Sequence, residues 1–154
     1  MSVTGLEAFD RTLQQTHIWI DEVAKELGID DKKRAFQGLR ATLHVLRDRL
    51  IAAEAAQLGA QLPILLAGFY YEGWKPASVP HKSRSQEEFL NELRAELKKY
   101  FPDNQTSHFD PQQLAKAVFK VLSERVSPGE IEDIIRILPP ELRELFPENI
   151  LPRQ

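Results

Sequence analysis

The chain repeats itself, and no other feature constrains its fold so tightly. Residues 35–70, moved forward by 76 positions, fall on residues 111–146 without a gap. Val45-Leu46 meets Val121-Leu122, Arg49 meets Arg125, Glu54 meets Glu130, Leu62-Pro63 meets Leu138-Pro139 and Leu66 meets Leu142. With Gln37/Gln113 and Ala41/Ala117 this gives nine identities in 36 positions. Upstream the offset shortens to 70, where Trp19-Ile20 meets Phe89-Leu90, Val23 meets Leu93 and Glu26-Leu27 meets Glu96-Leu97. A match of this length is the signature of one supersecondary unit written twice.

The unit is helical. From Leu6 the apolar residues Phe9, Leu13, Ile20, Val23, Ala24 and Leu27 recur at three- and four-residue spacing, which lines one face of a helix ending at Gly28. Thr4 with Glu7 predicts a capping box at its start, and Asp30 or Asp31 caps a second helix on Phe36, Leu39, Leu43, Leu46 and Leu50. A third helix carries Leu58, Leu62, Leu65, Leu66 and Phe69; Pro63 removes a backbone donor and predicts a kink or break near Leu62. In the second copy Ser85 with Glu88, Asp110-Pro111 with Gln113 and Ser127-Pro128 with Glu130 read as three further helix starts, and Leu138-Pro139-Pro140 as a stop and restart. No stretch alternates in the manner of a strand. The expectation is an all-α, pseudo-symmetric helical bundle from two tandem copies of a three- to four-helix unit. Residues 1–154 form a single compact domain, with copies at 5–71 and 85–147 and a connector at 72–84 that holds two prolines and a glycine. Each half alone would be marginal in size, so the copies should pack on each other.

The block from Val45 to Trp74 carries Val-Leu-Arg-Asp-Arg-Leu, then Leu-Gly-Ala-Gln-Leu-Pro, then Gly-Phe-Tyr-Tyr-Glu-Gly-Trp. It resembles the bacterial family catalogued as domain of unknown function number 2267, and the resemblance extends over nearly the whole chain, including Glu87-Glu88-Phe89-Leu90. That family has no established activity, so the resemblance implies membership and assigns no site residue. Where the family pattern often has a cap residue after the Arg-Leu, this chain has Ile51-Ala52-Ala53, which weakens that helix start by ~1 kcal/mol relative to Ser127.

Composition narrows the function classes. The net charge of −3 is spread evenly, with 9 basic and 10 acidic side chains in residues 1–75 and 11 and 13 in residues 76–154. Neither a basic face for nucleic acid nor a basic amphipathic helix for a membrane surface emerges, so neither partner is expected. With no cysteine, disulfides, thiolate nucleophiles and cysteine-held metals are excluded. A cytoplasmic protein is the default expectation, since no long apolar run occurs and acidic Glu7 and Asp10 stand where a signal peptide would be basic and then apolar.

Four constellations merit weighing. His17/Asp21 and His44/Asp48 stand at i,i+4, each a possible metal half-site, but exposed helix pairs explain them more simply and the second copy puts Lys120 opposite His44. His81 and His108 lie in irregular stretches without repeated partners. Arg49 and Arg125 each end a helix five residues before Glu54 and Glu130, so they read as structural helix-end charges in which each arginine bridges to the glutamate opening the next helix. Tyr70, Tyr71 and Trp74 form the most asymmetric segment, answered in the second copy by Leu145-Phe146-Pro147-Glu148; they are either a helix cap folded on the core or a partner or ligand surface. No phosphate loop, nucleophile elbow or His-Glu-x-x-His occurs. The expected function is a non-enzymatic protein-interaction or regulatory module around Tyr70–Trp74, without a cofactor or catalytic residues, as a monomer or homodimer with a protein partner. The alternatives are a carrier of small apolar ligands with a cavity between the copies and, more weakly, a metal-binding bundle on His17, Asp21, His44 and Asp48.

Overall fold

Proline and glycine set the element boundaries. The structure, a computed structural model, describes residues 2–78, 80–82, 84–101 and 109–152; His108 lies outside them. Eight α-helices and no strand occur among the described residues: α1 Glu7–Leu27, α2 Lys32–Arg47, α3 Ala52–Ala60, α4 Ile64–Tyr70, α5 Gln86–Lys98, α6 Pro111–Arg125, α7 Pro128–Ile137 and α8 Pro140–Arg143. Gly28 ends α1 in the left-handed region at φ 69°, where a side chain would be strained. Pro63 sits at the N-cap of α4 and divides the expected third helix in two. Pro139 does the same between α7 and α8.

The caps follow the sequence with two exceptions. Asp31 accepts from Arg34 N–H, Ser85 from Glu88 N–H and Ser127 from Glu130 N–H, whereas Asp110 accepts from Gln112 N–H, one residue earlier than expected. The Thr4–Glu7 capping box does not form. Thr4 instead directs its N–H and hydroxyl at the Asp10 carboxylate, and Leu6 is the N-cap. The first turns of α1 also stand clear of the core: Phe9 is 57% exposed, although its spacing places it on the buried stripe.

The center of the molecule is α2. It packs on α1, α4, α5 and α6 at once, and every residue from Ala41 to Arg47 is buried. Around it, α1 lies on α6, α5 lies on α6 and α8, and α3 faces α7. Leu39, Leu43, Leu46, Leu66, Phe89, Leu93, Leu114, Val118, Phe119 and Leu142 are fully covered and belong to one continuous apolar cluster. Complete burial of a leucine-sized side chain contributes about 1.5–3 kcal/mol, so this cluster is the main stabilising term.

Where α2 crosses α6 there is no room to spare. A Cβ on Gly38 would stand 2.7 Å from Leu114 Cδ1 and 3.5 Å from Phe109 Cζ, with Leu114 itself fully buried. The glycine therefore sets how closely these two helices approach. Gly38→Val is expected to lower unfolding free energy by about 1–3 kcal/mol through overpacking, read as a reduced urea midpoint at unchanged slope; a variant as stable as the parent would mean that the crossing is looser than described.

Candidate functional site

The polar stripe on the buried side of α2 organises the site. Arg40, His44 and Arg47 stand at i, i+4 and i+7, on one helix face. Opposite them α4 ends, and the last carbonyls of any helix lack intrahelical partners. His44 donates from Nε2 to the Phe69 carbonyl (2.6 Å), and Arg47 donates from Nη1 to the carbonyls of Tyr70 and Glu72 (2.7 Å each). N–H donors suit the negative end of a helix dipole, the Arg47 guanidinium adding a full charge, so α2 caps α4 from across the fold. Arg40 completes the arrangement with a two-pronged pair to Glu72 (2.7 Å and 2.7 Å) while its guanidinium lies 4.1 Å from the Tyr100 ring center.

The third side of the site is α5. Glu96 accepts from His44 Nδ1 at 2.8 Å and from Lys99 at 2.6 Å, and the Tyr100 hydroxyl reaches both Glu96 Oε2 (3.3 Å) and His44 Nδ1 (3.2 Å). Burial by itself would raise the Glu96 pKa; the hydrogen bonds and positive charges of His44 and Lys99 outweigh it and hold the carboxyl at about 2. Burial and the neighbouring Glu96 charge push the Tyr100 phenol up to about 12. The hydrogen bonds from Arg40 likewise hold Glu72 below the usual glutamate range. An open cleft of about 230 Å³ lies over these groups, lined by His44, Arg47, Asp48, Glu72, Glu96 and Tyr100 among others. Both ring nitrogens of His44 are committed to protein acceptors, so in this arrangement the imidazole is a clamp and offers no free nitrogen to a guest.

The clamp holds the aromatic segment, but not as an undivided surface. Tyr70 is fully buried, its hydroxyl donating to the Ala55 carbonyl at 2.7 Å, so it belongs to the core and not to an accessible face. Its phenol is raised far above the ordinary value by that burial. Tyr71 and Trp74 are half-buried and lie against each other with ring centers 5.4 Å apart. Tyr71 lies across α3 so closely that a Cβ on Gly59 would collide with its hydroxyl. Gly73, at φ 70°, supplies the left-handed turn that folds Trp74 back.

The remaining sequence candidates separate. His17 and Asp21 are exposed on α1, with Asp21 near Lys32 (3.6 Å), whereas His44 is buried against Glu96 and Phe69 and Asp48 pairs with Arg47 (3.0 Å). These four do not converge on a metal-sized center, because His44 faces inward between α2, α4 and α5. The arginine–glutamate bridges are also redrawn. Arg49, with a side chain only 1% exposed, pairs with Glu92 of α5 at 2.8 Å, and Arg125 pairs with Glu22 of α1. Glu54 and Glu130 turn away from both arginines and face each other, because α3 and α7 pack together and place both glutamates inside. The sequence carried no warning of Arg40, Glu72, Glu96, Lys99 and Tyr100 as a group; the signal present in hindsight is a basic stripe at i, i+4 and i+7 on an otherwise apolar helix.

Fold and site define an all-α protein whose central helix uses buried cations to hold an aromatic corner. The chain belongs to the family described as Uncharacterized conserved protein (DUF2267), whose model matches residues 16–145. A comparison with curated proteins found no match.

Removing the clamp tests its weight. His44→Phe removes one donor from the Phe69 carbonyl and one from Glu96, which keeps Lys99 and Tyr100, and should cost about 1–3 kcal/mol of stability. Because Glu96 titrates lower in the folded protein than its ordinary 4.5, its contribution is present above pH 4.5 and fades as pH falls toward 2. The stability gap between wild type and Glu96→Gln should therefore be widest above pH 5 and close on acidification; a gap independent of pH would show that the carboxylate charge contributes nothing.

Proposed function

We propose that this protein is a non-enzymatic protein-interaction or regulatory module, built as two tandem copies in a pseudo-symmetric arrangement, with Tyr71, Glu72 and Trp74 as its contact surface. The observation that carries the reading is the combination at this corner: two half-buried aromatics, tilted against each other with ring centers 5.4 Å apart, on a backbone fixed by His44 and Arg47. Aromatic anchors that need no ordering on binding, ringed by charges such as Glu72, Lys75 and Lys99, match the anatomy of interface hot spots. A cytoplasmic setting remains part of the proposal, as does a monomer or homodimer.

Pairing across the repeat supports the tandem arrangement. Arg49 and Arg125 are 76 positions apart, and their partners Glu92 and Glu22 are 70 apart, the same two offsets that relate the copies. Each copy's second helix thus reaches the first helix of the other. Gly38 meets Leu114 and Glu54 meets Glu130, again pairs at offset 76, as expected for residues on a pseudo-twofold axis. The aromatic corner has no counterpart in the second copy, which fits a function placed on one copy only. The same closeness of Gly38 and Leu114 speaks against the carrier alternative, which asks for open space between the copies.

Trp74→Ala and Tyr71→Ala are expected to shift the melting temperature by only a few degrees while weakening retention of the protein partner by about 2 kcal/mol each. The measurement compares proteins recovered on the immobilised wild type and variants, alongside calorimetry. Large destabilisation with unchanged recovery would place both residues in a structural role and remove the reading.

A further inference from the structure

We propose that Glu54, Glu130 and Asp133 bind a hard divalent cation, of the Mn²⁺, Mg²⁺ or Ca²⁺ class, that ties the first turn of α3 to the first turn of α7. One carboxylate oxygen from each of the three residues lies within 4.8 Å of the others. That spacing is what a cation with metal–oxygen distances of roughly 2.1–2.5 Å requires of ligands arranged around it. The donor set is all oxygen, with neither imidazole nor thiolate, and so selects hard cations over zinc or copper.

Outside this cluster the glutamates have no hydrogen-bond partner among the described residues. Both are more than nine-tenths buried, at 7% and 5% exposure, and Oε1 of each is covered and receives no hydrogen bond. Among the described residues no N–H group reaches either carboxylate. Burying a carboxylate without a donor is costly, and burying two face to face adds repulsion, so such a pair calls for a positive charge between them or a shared proton. The local backbone explains why Glu130 is available. It stands at the third helical position after Ser127, where a glutamate ordinarily reaches back to the cap residue's N–H. That N–H instead donates to Gln61 Oε1 at 2.8 Å, and the carboxylate is left to turn inward. Glu54 is the equivalent residue of α3, behind Ile51, which has no side chain able to cap.

Asp133 supplies what the two glutamates lack. It lies one turn beyond Glu130 on the same face of α7, is partly exposed, and shares one oxygen with Arg136 at 3.3 Å. A site built from two buried carboxylates and one at the rim leaves an opening toward solvent, through which the cation enters and where water fills the remaining coordination positions. Its role is structural: a bridge between two helices, one from each half, with the rim aspartate closing over it. Gln57 occupies the position 76 residues before Asp133, so only the α7 side provides the third ligand.

A proton shared by the glutamates is the competing account, and the two differ in what they predict for added metal. The 154-residue chain, freed of metal with chelator and dialysed, is titrated with MnCl₂ near pH 7.5 and followed by the electron paramagnetic resonance of free Mn²⁺, with Ca²⁺ and Mg²⁺ as competitors. The expected result is one equivalent bound, a melting temperature raised by the metal, and affinity at least about tenfold weaker in Glu54→Gln and Glu130→Gln, since each removes one charged ligand. Asp133→Asn should weaken binding to a lesser extent. The glutamine variants lose the mutual repulsion of the pair and keep their fold, which circular dichroism and calorimetry check, so lost binding in them is not lost structure. No bound Mn²⁺ at millimolar metal, or binding that survives Glu54→Gln and Glu130→Gln unchanged, overturns the site and leaves the shared proton.

Discussion

The rest of the structure depends on the burial of α2. Packed on four other helices, α2 buries every residue from Ala41 to Arg47, and yet it carries Arg40, His44 and Arg47. Polar groups in that position are tolerated only when each donor finds an acceptor, and here the acceptors are the helix-end carbonyls of Phe69, Tyr70 and Glu72 together with the carboxylates of Glu72 and Glu96. One arrangement thus meets two needs: cations are neutralised in the interior, and a seven-residue helix too short to stand alone is capped. The position of Tyr71 and Trp74 follows from it.

The other buried charges sit at positions that the sequence offset of 76 relates. Residues 76 positions apart come together at two places between helices. Where the residue is small, as at Gly38, the helices approach; where it is a leucine, as at 114, it fills the space so made. Where it is glutamate on both sides, two carboxyl groups meet in the interior, as at 54 and 130. Burial and the neighbouring Glu54 carboxylate push Glu130 up to about 8, the electrostatic mark of that encounter. Two arginines are instead paired with opposite charges: Arg49 with Glu92 and Arg125 with Glu22.

Much of the fold was legible in the sequence because its signals are local. Gly28, Asp31, Pro63, Ser85, Ser127 and Pro139 act through their own backbone geometry, and each marks a helix end in the structure. Errors arose where a local rule met a stronger partner. Thr4 found Asp10 before Glu7, the Ser127 N–H found Gln61 before Glu130, and the apolar Phe9 lies beyond the reach of the core. The arginines found glutamates on helices far away in sequence, which spacing along one helix cannot reveal.

The sequence by itself determined that the chain is helical, where its helices begin and end, and which family it belongs to, because periodicity, capping residues and proline act over a few neighbouring positions. Only the tertiary structure decided which charges pair, that Tyr70 is core while Tyr71 and Trp74 reach the surface, and that Glu54 and Glu130 face each other. Those outcomes depend on which helices cross and how closely, and a crossing is the sum of many weak packing contacts between residues distant in the chain.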